Sequence, residues 1–383
     1  MFKNYLILIL IALLFPEKII AQVKVRIFSL QSPEMAVFTA IHGEYQINGF
    51  DGKLTLIKES EPVFISKYNG KLAVKSRNAK GIICDSVEFI SKTQVGSFSV
   101  AINVNEPLKQ YYSGDLTCLP DLGTILLINN CDIEQYIAGV VRAEGGTGKN
   151  IEYFKTQAVI ARTYMYKYFD KHLSDGYNVC DNTHCQAFNG LSTDSVINRA
   201  AFATRDMVIL APDSTLIISA FHSNCGGETA SSEDVWLTSQ PYLKRVVDPY
   251  CVSSRNARWE LTISRNEWLT FLKRSGFDLS SDNQLTFGFV QKMRMSDYTT
   301  ASIKIPLRTM RTELNLRSTL FSLIDEGDSI ILKGRGYGHG VGLCQEGAMV
   351  MAEKGSDYKQ IIDFYYTGVI IADIKNAILN NDE

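Results

Sequence analysis

The clearest pattern of apolar and polar residues in the chain is a helical one that ends in a carboxylic acid. Asp132 precedes it as a candidate N-cap, with Gln135 in the capping-box position, and Gly145-Gly146 follow it as a stop signal. Glu144 comes three and four residues after the last apolar positions, so it extends the apolar face of the predicted helix. That face consists of Ile133, Tyr136, Ile137, Val140 and Val141.

A second helical pattern follows at once and predicts a helical hairpin. Asn150 is its candidate N-cap, and its apolar period continues to about His172. Arg162 lies close to the apolar stripe, where a guanidinium needs a carboxylate or a ligand. Glu144 is one candidate partner across the hairpin, and a direct pair would favour its charged form.

The chain on either side of the hairpin has a different periodicity. Residues 22–128 alternate as β-strands do, with turn signals at Asp51-Gly52 and Asn69-Gly70, whereas residues after the hairpin mix strands and helices. The pattern predicts an α+β fold with a β-rich N-terminal portion, a central helical hairpin and a mixed α/β C-terminal portion. The predicted strands include Val23–Ile27, Leu54–Ile57, Val63–Ile65, Leu72–Val74, Phe98–Ile102, Ile125–Ile128, Met207–Leu210 and Leu216–Phe221.

The first residues of the chain read as a targeting segment. Lys3, an apolar run over 6–15 and Ala21 at a passable cleavage site predict a signal peptide over 1–21. The run is short for a membrane span, so an uncleaved N-terminal anchor is the less favoured alternative. We expect contact with a membrane only if the segment stays uncleaved. We therefore expect export to the periplasm or cell envelope. The predicted regions are 1–21, 22–128, 129–375 and a C-terminal tail over 376–383.

Composition narrows the class of partner. The chain has 45% apolar and 21% charged residues and a net charge of −2, with no long basic run, which argues against nucleic acid. A neutral polymer such as a glycan is compatible with this balance. Export permits disulfides among the eight cysteines, and Cys84–Cys118 and Cys225–Cys251 are guesses at pairs.

Glu144 is a candidate general acid. Apolar neighbours and the negative end of the helix dipole both disfavour its carboxylate and raise its pKa. A carboxyl group that stays protonated near neutral pH can donate a proton to a leaving group. The alternatives are a Glu paired with a buried Arg, or one that reaches solvent from the last turn.

Cysteine and histidine cluster after the hairpin. Cys180, His184 and Cys185, with His172 upstream, make a candidate zinc site of two cysteines and two histidines, although the spacing is irregular for a zinc finger. The alternatives are a Cys180–Cys185 disulfide or two free thiols.

Two further histidines lie in loops that follow apolar segments. His222-Ser223 lacks the G-x-S-x-G elbow of a serine hydrolase, so we interpret His222 as substrate-facing or loop-ordering. His339 lies in a Gly-rich loop over 334–342, which is not a nucleotide-binding loop. It is placed either to donate to a sugar hydroxyl or to hold the loop.

Several of these segments form an ordered set of motifs across most of the chain after the signal segment. They are Ile133–Glu144, Lys155–Tyr164, Phe221–Thr229, Val235-Trp236, Pro241–Leu243, Gly336–Gly342 and Tyr365–Gly368. Together they resemble the signature of the SpoIID/LytB family.

The resemblance implies a peptidoglycan lytic transglycosylase that acts on glycan strands without stem peptides, with Glu144 as catalytic acid. It also implies a zinc ion at the cluster of His172, Cys180, His184 and Cys185. LytB-type members have a second implied role, as non-catalytic enhancers of a cell-wall amidase. One departure is Glu346, where the family commonly has an aromatic residue after Gln345. The residues we expect to bind substrate are Arg162, His222, Ser223, His339 and Gln345.

The number of acids bears on the reaction. A hydrolase normally needs two carboxyl groups at the scissile bond. A lytic transglycosylase needs one, because the C6 hydroxyl of the sugar itself attacks and leaves a 1,6-anhydro-N-acetylmuramic acid end. Glu228 follows the Gly226-Gly227 turn and is the first candidate for a second carboxylate at the bond, ahead of Glu233 and Asp234.

Overall fold

A computed structural model describes residues 22–49, 54–77, 80–93, 95–102, 107–146, 150–236, 238–276, 288–299 and 304–377. The predicted signal segment, the Asp51-Gly52 turn and nearly all of the predicted tail lie outside these residues.

The chain begins with β-strands and returns to them between helices. The first twelve are β1 (Gln22–Ile27), β2 (Met35–His42), β3 (Tyr45–Gly49), β4 (Leu54–Ile57), β5 (Pro62–Tyr68), β6 (Lys71–Ser76), β7 (Ile82–Cys84), β8 (Val87–Ser91), β9 (Ser97–Ile102), β10 (Leu108–Ser113), β11 (Asp115–Asp121) and β12 (Thr124–Asp132). The later ones are β13 (Val179–Cys180), β14 (Met207–Leu210), β15 (Phe221–His222), β16 (Arg258–Ser264), β17 (Asp297–Thr299), β18 (Lys304–Pro306), β19 (Phe321–Asp325), β20 (Ser329–Arg335), β21 (Leu343–Cys344) and β22 (Ile370–Asp373).

The α-helices of the described chain all follow β12. They are α1 (Ile133–Glu144), α2 (Ile151–Lys167), α3 (Ser195–Ala203), α4 (Ser232–Trp236), α5 (Arg265–Arg274), α6 (Leu307–Glu313), α7 (Gln345–Glu353) and α8 (Tyr358–Tyr365). Short 3₁₀ turns occupy Leu173–Asp175 and Ile374–Asn376. The predicted α+β class, with its β-rich start and central hairpin, is confirmed.

The first twelve strands and β13 form a sandwich of two sheets. One sheet has the order β13-β1-β12-β11-β8-β3-β4 and the other β10-β9-β2-β5-β6-β7. Phe38 of β2 stacks on Phe89 of β8 with ring centroids 4.1 Å apart, so aromatic side chains of the two inner faces meet in the core. At the β5–β6 turn Asn69 and Gly70 both have positive φ, 47° and 76°, as a tight hairpin turn requires.

The sandwich holds the hairpin directly. β12 ends at Asp132 and α1 begins at the next residue, so the helix is anchored on a central strand. The hairpin, α3, α7 and α8 share one continuous hydrophobic core with the sandwich. The predicted region boundary at residue 128 therefore falls inside β12, and no break in packing accompanies it among the described residues.

A separate hydrophobic core lies between residues 259 and 332. It is built on the β16-β20-β19 sheet, with α5, α6 and the β17–β18 pair. Arg294 connects it to the rest: its Nη2 donates to the carbonyl of Cys225 at 2.6 Å and its Nε to that of Glu228 at 2.8 Å.

Most sequence-based elements are confirmed, with one clear correction. The predicted strand over 216–221 is wrong apart from its end, because only Phe221 and His222 enter a sheet, as β15 beside β21. Within the part of the chain that the structure describes, every helix is too short or too polar to cross a bilayer.

Candidate functional site

The helix that carries Glu144 forms as its sequence predicts. Asp132 caps it: its Oδ1 accepts the backbone N–H of Glu134 at 2.8 Å and of Gln135 at 3.2 Å. The predicted apolar face is buried throughout. Gly145 closes the last turn by donating to the carbonyl of Val141 at 2.7 Å, which leaves Glu144 as the final helical residue.

The carboxyl group of Glu144 is half-buried and accepts one backbone hydrogen bond. Burial raises its pKa to about 7, and the bond from the Ala187 N–H to its Oε1 opposes this only in part. Tyr164 of α2 lies nearby: burial raises the pKa of its phenol, and electrostatic interaction with the neighbouring ionisable groups, Glu144 among them, raises it further. The environment thus holds a substantial fraction of Glu144 protonated at neutral pH.

Gln345 connects the start of α7 to the end of α1. Its Nε2 donates to the backbone carbonyl of Glu144 at 2.8 Å and to Oε1 of Gln157 at 3.2 Å. The Nε2 of Gln157 is itself buried without a hydrogen-bond partner in the described chain. A polar ligand bound beside Glu144 could accept a hydrogen bond from this amide group.

The His222 loop lies against the same segment. His222 pairs with Cys344 in the parallel β15–β21 bridge, immediately before Gln345, and the Glu346 N–H donates to the Ser223 carbonyl at 3.0 Å. Burial lowers the pKa of His222 well below its usual range, so the ring is neutral. Its Nδ1 lies 3.1 Å from the Val341 carbonyl, and its Nε2 is buried and unpartnered in the described residues.

His339 is held within its own loop. Its Nδ1 accepts the Val341 N–H at 3.0 Å, and its ring lies 5.5 Å from those of His222 and Trp236. Burial, the charge of Arg311 and that of Arg294 lower its pKa to about 4 against a bond to the Phe221 backbone. These contacts match the loop-holding interpretation of His339.

The four predicted metal ligands meet in space. One ligand atom each from His172, Cys180, His184 and Cys185 lies within 4.8 Å of all the others. The two sulfur atoms are 3.3 Å apart, and each is 3.7 Å from Nδ1 of His184.

The environment of His172 fits a metal ligand. Its Nδ1 lies 3.1 Å from a carboxylate oxygen of Asp175, while its Nε2 is buried without a partner among the described residues. A carboxylate on the far nitrogen is the usual second contact of a zinc-bound histidine. The donor set therefore fits zinc.

The loop that carries the cluster of two cysteines and two histidines continues directly to the residue that donates to Glu144. Cys185 is followed by Gln186, whose Oε1 accepts the Tyr136 hydroxyl at 3.2 Å and whose Nε2 donates to the Ala161 carbonyl at 3.3 Å. Ala187, the next residue, donates its N–H to Glu144. The loop is thus fixed to both helices of the hairpin.

Arg162 requires a correction. Its guanidinium is fully buried and pairs with Glu134, not Glu144: Nε donates to Oε1 at 3.0 Å and Nη2 to Oε2. It also donates to the carbonyls of Ala201 at 3.1 Å and Met207 at 3.0 Å. With its donors used inside the core, Arg162 cannot contact substrate from this position, and the prediction that it binds substrate is wrong.

The other acids considered from sequence are engaged elsewhere. Glu152 pairs with Lys155, and Glu233 with Lys244. Glu228 and Asp234 both contact Arg245, at 3.6 and 3.5 Å. Among the described residues no second carboxylate contributes to the pKa shift of Glu144.

Glu346 is held by amides. Its carboxylate accepts from Asn224 Nδ2 at 2.6 Å and Asn256 Nδ2 at 2.7 Å. The residue that departs from the family pattern thus connects two loops beside Gln345.

Sequence reasoning missed three participants: the Ala187 N–H, Tyr164 and Gln157. Ala187 contributes only its backbone N–H, so its residue type gives no indication in the sequence of this contact. Tyr164 and Gln157 lie within the matched motif Lys155–Tyr164, and the helical period of α2 is the one signal for their facing the acid.

The guessed disulfides have different surroundings. Burial and the neighbouring Cys84 thiol raise the pKa of Cys118, so these two side chains are close and their pairing stays a prediction. Cys225 has Cys251 at 3.3 Å between sulfur atoms, but Asp248 lies equally close, at 3.2 Å.

Comparison with known proteins gives consistent similarities. A profile of the family described as stage II sporulation protein (SpoIID) matches residues 121–210, which run from the end of β11 through the cluster of two cysteines and two histidines to β14. An uncharacterized protein of Brachyspira hyodysenteriae is 32% identical over 274 residues, 68% of this chain and 72% of that protein. Stage II sporulation protein D of Bacillus subtilis is 27% identical over 270 residues, 66% and 78% of the two chains. The amidase enhancer of the same organism is 28% identical over 294 residues, 61% of this chain but 40% of that protein.

Proposed function

The chain belongs to the SpoIID/LytB family, and we propose that it is an exported lytic transglycosylase that cleaves the glycan backbone of peptide-free peptidoglycan strands. The observation that carries the proposal is Glu144. It is a half-buried carboxyl group at a helix end with a pKa of about 7, and no second carboxylate perturbs it within the described chain.

The proposed reaction needs one proton carrier. Protonated Glu144 donates its proton to the glycosidic oxygen as the bond to C1 of N-acetylmuramic acid breaks. The resulting carboxylate then takes the proton of the C6 hydroxyl of the same sugar, whose oxygen forms the new bond to C1. Glu144 ends protonated, ready for a further cycle, and no water is consumed.

Other side chains would position the acid and the glycan. The Ala187 N–H orients Oε1, and Gln345 holds the Glu144 carbonyl. We propose Gln157, Tyr164 and the neutral His222 as contacts for sugar hydroxyl and amide groups, because two of them have buried unsatisfied nitrogen atoms. Ser223, His339 and Gln345 remain proposed substrate contacts at the margin of the same site.

The product distinguishes this reaction from hydrolysis. Peptide-free glycan strands digested with the protein are expected to release chains that end in 1,6-anhydro-N-acetylmuramic acid. Such ends lack one water relative to reducing ends, so mass spectrometry of the products identifies them directly. Reducing ends would show a hydrolase. Glu346, which directly follows Gln345, would then be the first candidate for the second carboxylate and the first to be substituted.

The rate should depend on pH through Glu144. Its pKa is raised, so the protonated form that starts the reaction is abundant below about pH 7 and is lost as pH rises through that value. Turnover of glycan strands is expected to fall on the alkaline side of pH 7 and to level off on the acid side. A rate that increases steadily from pH 6 to pH 9 would contradict a protonated Glu144.

We also propose a structural zinc ion at His172, Cys180, His184 and Cys185. Four protein ligands leave no open coordination position, so the ion would hold the loop that presents Ala187 to Glu144 and would not activate water.

Elemental analysis tests this site. His184→Ala is expected to remove one zinc ion per chain and to lower the glycan-cleavage rate, since the Ala187 loop loses its support. His42→Ala is the matched control, because His42 is an exposed histidine on β2. Equal zinc content in the two variants, with a Cys180–Cys185 disulfide in the peptide map, would exclude the metal.

The amidase-enhancer role is the second candidate, favoured by the similarity to a protein of that name. It predicts that the protein binds glycan strands and stimulates a cell-wall amidase without cutting the glycan. Retained binding with no new glycan ends, under conditions where an amidase is accelerated, would replace the enzymatic proposal with this one.

A further inference from the structure

Three cysteines and an aspartate from distant parts of the chain form a second cluster. Cys225 follows β15, Asp248 and Cys251 lie in the loop before β16, and Cys344 ends β21. One ligand atom of each lies within 4.8 Å of the others, and all four residues are 0% exposed. We propose that this cluster binds a second zinc ion. The proposal does not depend on whether the protein cleaves glycan.

The spacing of the donor atoms suits a tetrahedral ion. The Cys225 sulfur lies 3.3 Å from that of Cys251 and 3.2 Å from Oδ2 of Asp248. Zinc–sulfur bonds of about 2.3 Å in tetrahedral geometry put ligand sulfur atoms about 3.8 Å apart. For the Cys225–Cys251 pair, an ion at the centre therefore requires the two sulfur atoms to separate by only about half an ångström.

Hydrogen bonds already point at the ligand atoms. The sulfur of Cys344 accepts the N–H of Cys225 at 3.3 Å and of Gly347 at 3.4 Å. Such donors stabilise thiolates around a metal. Asp248 accepts the Tyr365 hydroxyl at 2.9 Å on Oδ2 and the Tyr250 N–H at 2.8 Å on Oδ1.

Asp248 lacks a counter-charge. It is fully buried, yet within the described ranges no lysine, arginine or histidine forms an ion pair with it. A buried carboxylate is costly without a cation. A zinc ion would supply that charge, and three thiolates with one carboxylate give the same net charge as a structural site of four cysteines.

A disulfide is the competing interpretation. Joining Cys225 to Cys251 uses two sulfur atoms and leaves Cys344 and Asp248 buried in contact with the bond. A zinc ion uses all four groups. Because none of them is exposed, the ion would have no position for water and would act as a structural link.

The link would join the loops that build the candidate site. Cys344 directly precedes Gln345, which holds the Glu144 carbonyl, and pairs with His222 across β15–β21. Loss of the ion should therefore loosen the start of α7.

Metal content of the full chain purified without chelator tests the proposal. Wild-type protein is expected to hold two zinc ions, and Cys180→Ser/Cys185→Ser one. Cys344→Ser and Asp248→Asn should each lose one ion or weaken its retention against a chelator. Cys131→Ser is the matched control, since Cys131 is a buried cysteine outside both clusters, and its zinc content should equal that of wild type.

Zinc content unchanged by Cys344→Ser and Asp248→Asn overturns the proposal. If those variants do not fold, a peptide map of non-reduced wild-type protein decides. Cys225, Cys251 and Cys344 all recovered as thiols, together with two zinc ions, support the site. A disulfide between any two of them overturns it. Cobalt substitution in Cys180→Ser/Cys185→Ser should still give sulfur-to-metal charge-transfer absorption.

Discussion

Glu144→Gln is expected to abolish glycan cleavage while the protein stays folded. The substitution keeps the shape of the side chain and can still accept the Ala187 N–H through its amide oxygen. It cannot donate and recover a proton, and loss of a general acid costs roughly 10²–10⁴ in rate. Product formation from peptide-free strands, followed by mass spectrometry, measures the effect.

Glu353→Gln is the matched control. Glu353 is the last residue of α7, as Glu144 is of α1, but its side chain is exposed. The control should retain the wild-type rate. Glu144→Gln with wild-type turnover would end the assignment of Glu144 as catalytic acid.

Arg162→Met is expected to cause the largest loss of stability. The substitution leaves the Glu134 carboxylate buried without its cation and two backbone carbonyls without their donor. Breaking a buried pair by removing one partner costs about 3–5 kcal/mol in the free energy of unfolding. Thermal or denaturant unfolding of the purified variant measures this cost.

A double-mutant cycle separates the pair from general packing. Arg162→Met with Glu134→Gln should be less destabilising than the sum of the two single changes. Arg205→Met is the control, because Arg205 is partly exposed and lies 3.9 Å from Asp132, an arrangement worth at most about 1 kcal/mol. Strict additivity of the two buried changes would mean that Arg162 and Glu134 are not coupled.

The hairpin was predictable because its signals are local. Asp132, the apolar face and Gly145 specify where α1 begins and ends, and these fix Glu144 on the buried side without knowledge of any other element. The cluster of two cysteines and two histidines was predictable for a similar reason, since its ligands lie within one loop and the turn before it.

The partner of Arg162 was not predictable from the hairpin alone. Spacing along α2 shows that the guanidinium is buried, but α1 offers two acids, Glu134 and Glu144. The choice depends on α3 and β14, whose Ala201 and Met207 carbonyls draw the guanidinium away from the helix end. Within the described ranges, that leaves Glu144 without an ion-pair partner, and burial raises its pKa.

The cluster of Cys225, Asp248, Cys251 and Cys344 was also not predictable, because its members are far apart in the sequence. The sequence suggests pairing Cys225 with Cys251 only because they flank one segment. Cys344 joins them because β21 lies parallel to β15, and Asp248 because the Tyr365 hydroxyl of α8 holds its carboxylate. Long-range pairing of short strands carries almost no sequence signal.

The separate core between residues 259 and 332 has a consequence for calorimetry. Two hydrophobic cores joined through Arg294 are two candidate cooperative units, so heating can produce two overlapping transitions. Substitutions at Arg162 or in the proposed zinc-binding loop should shift only the transition of the larger core. A scan of wild-type protein, deconvoluted before any variant is compared, would assign each melting temperature to its own core.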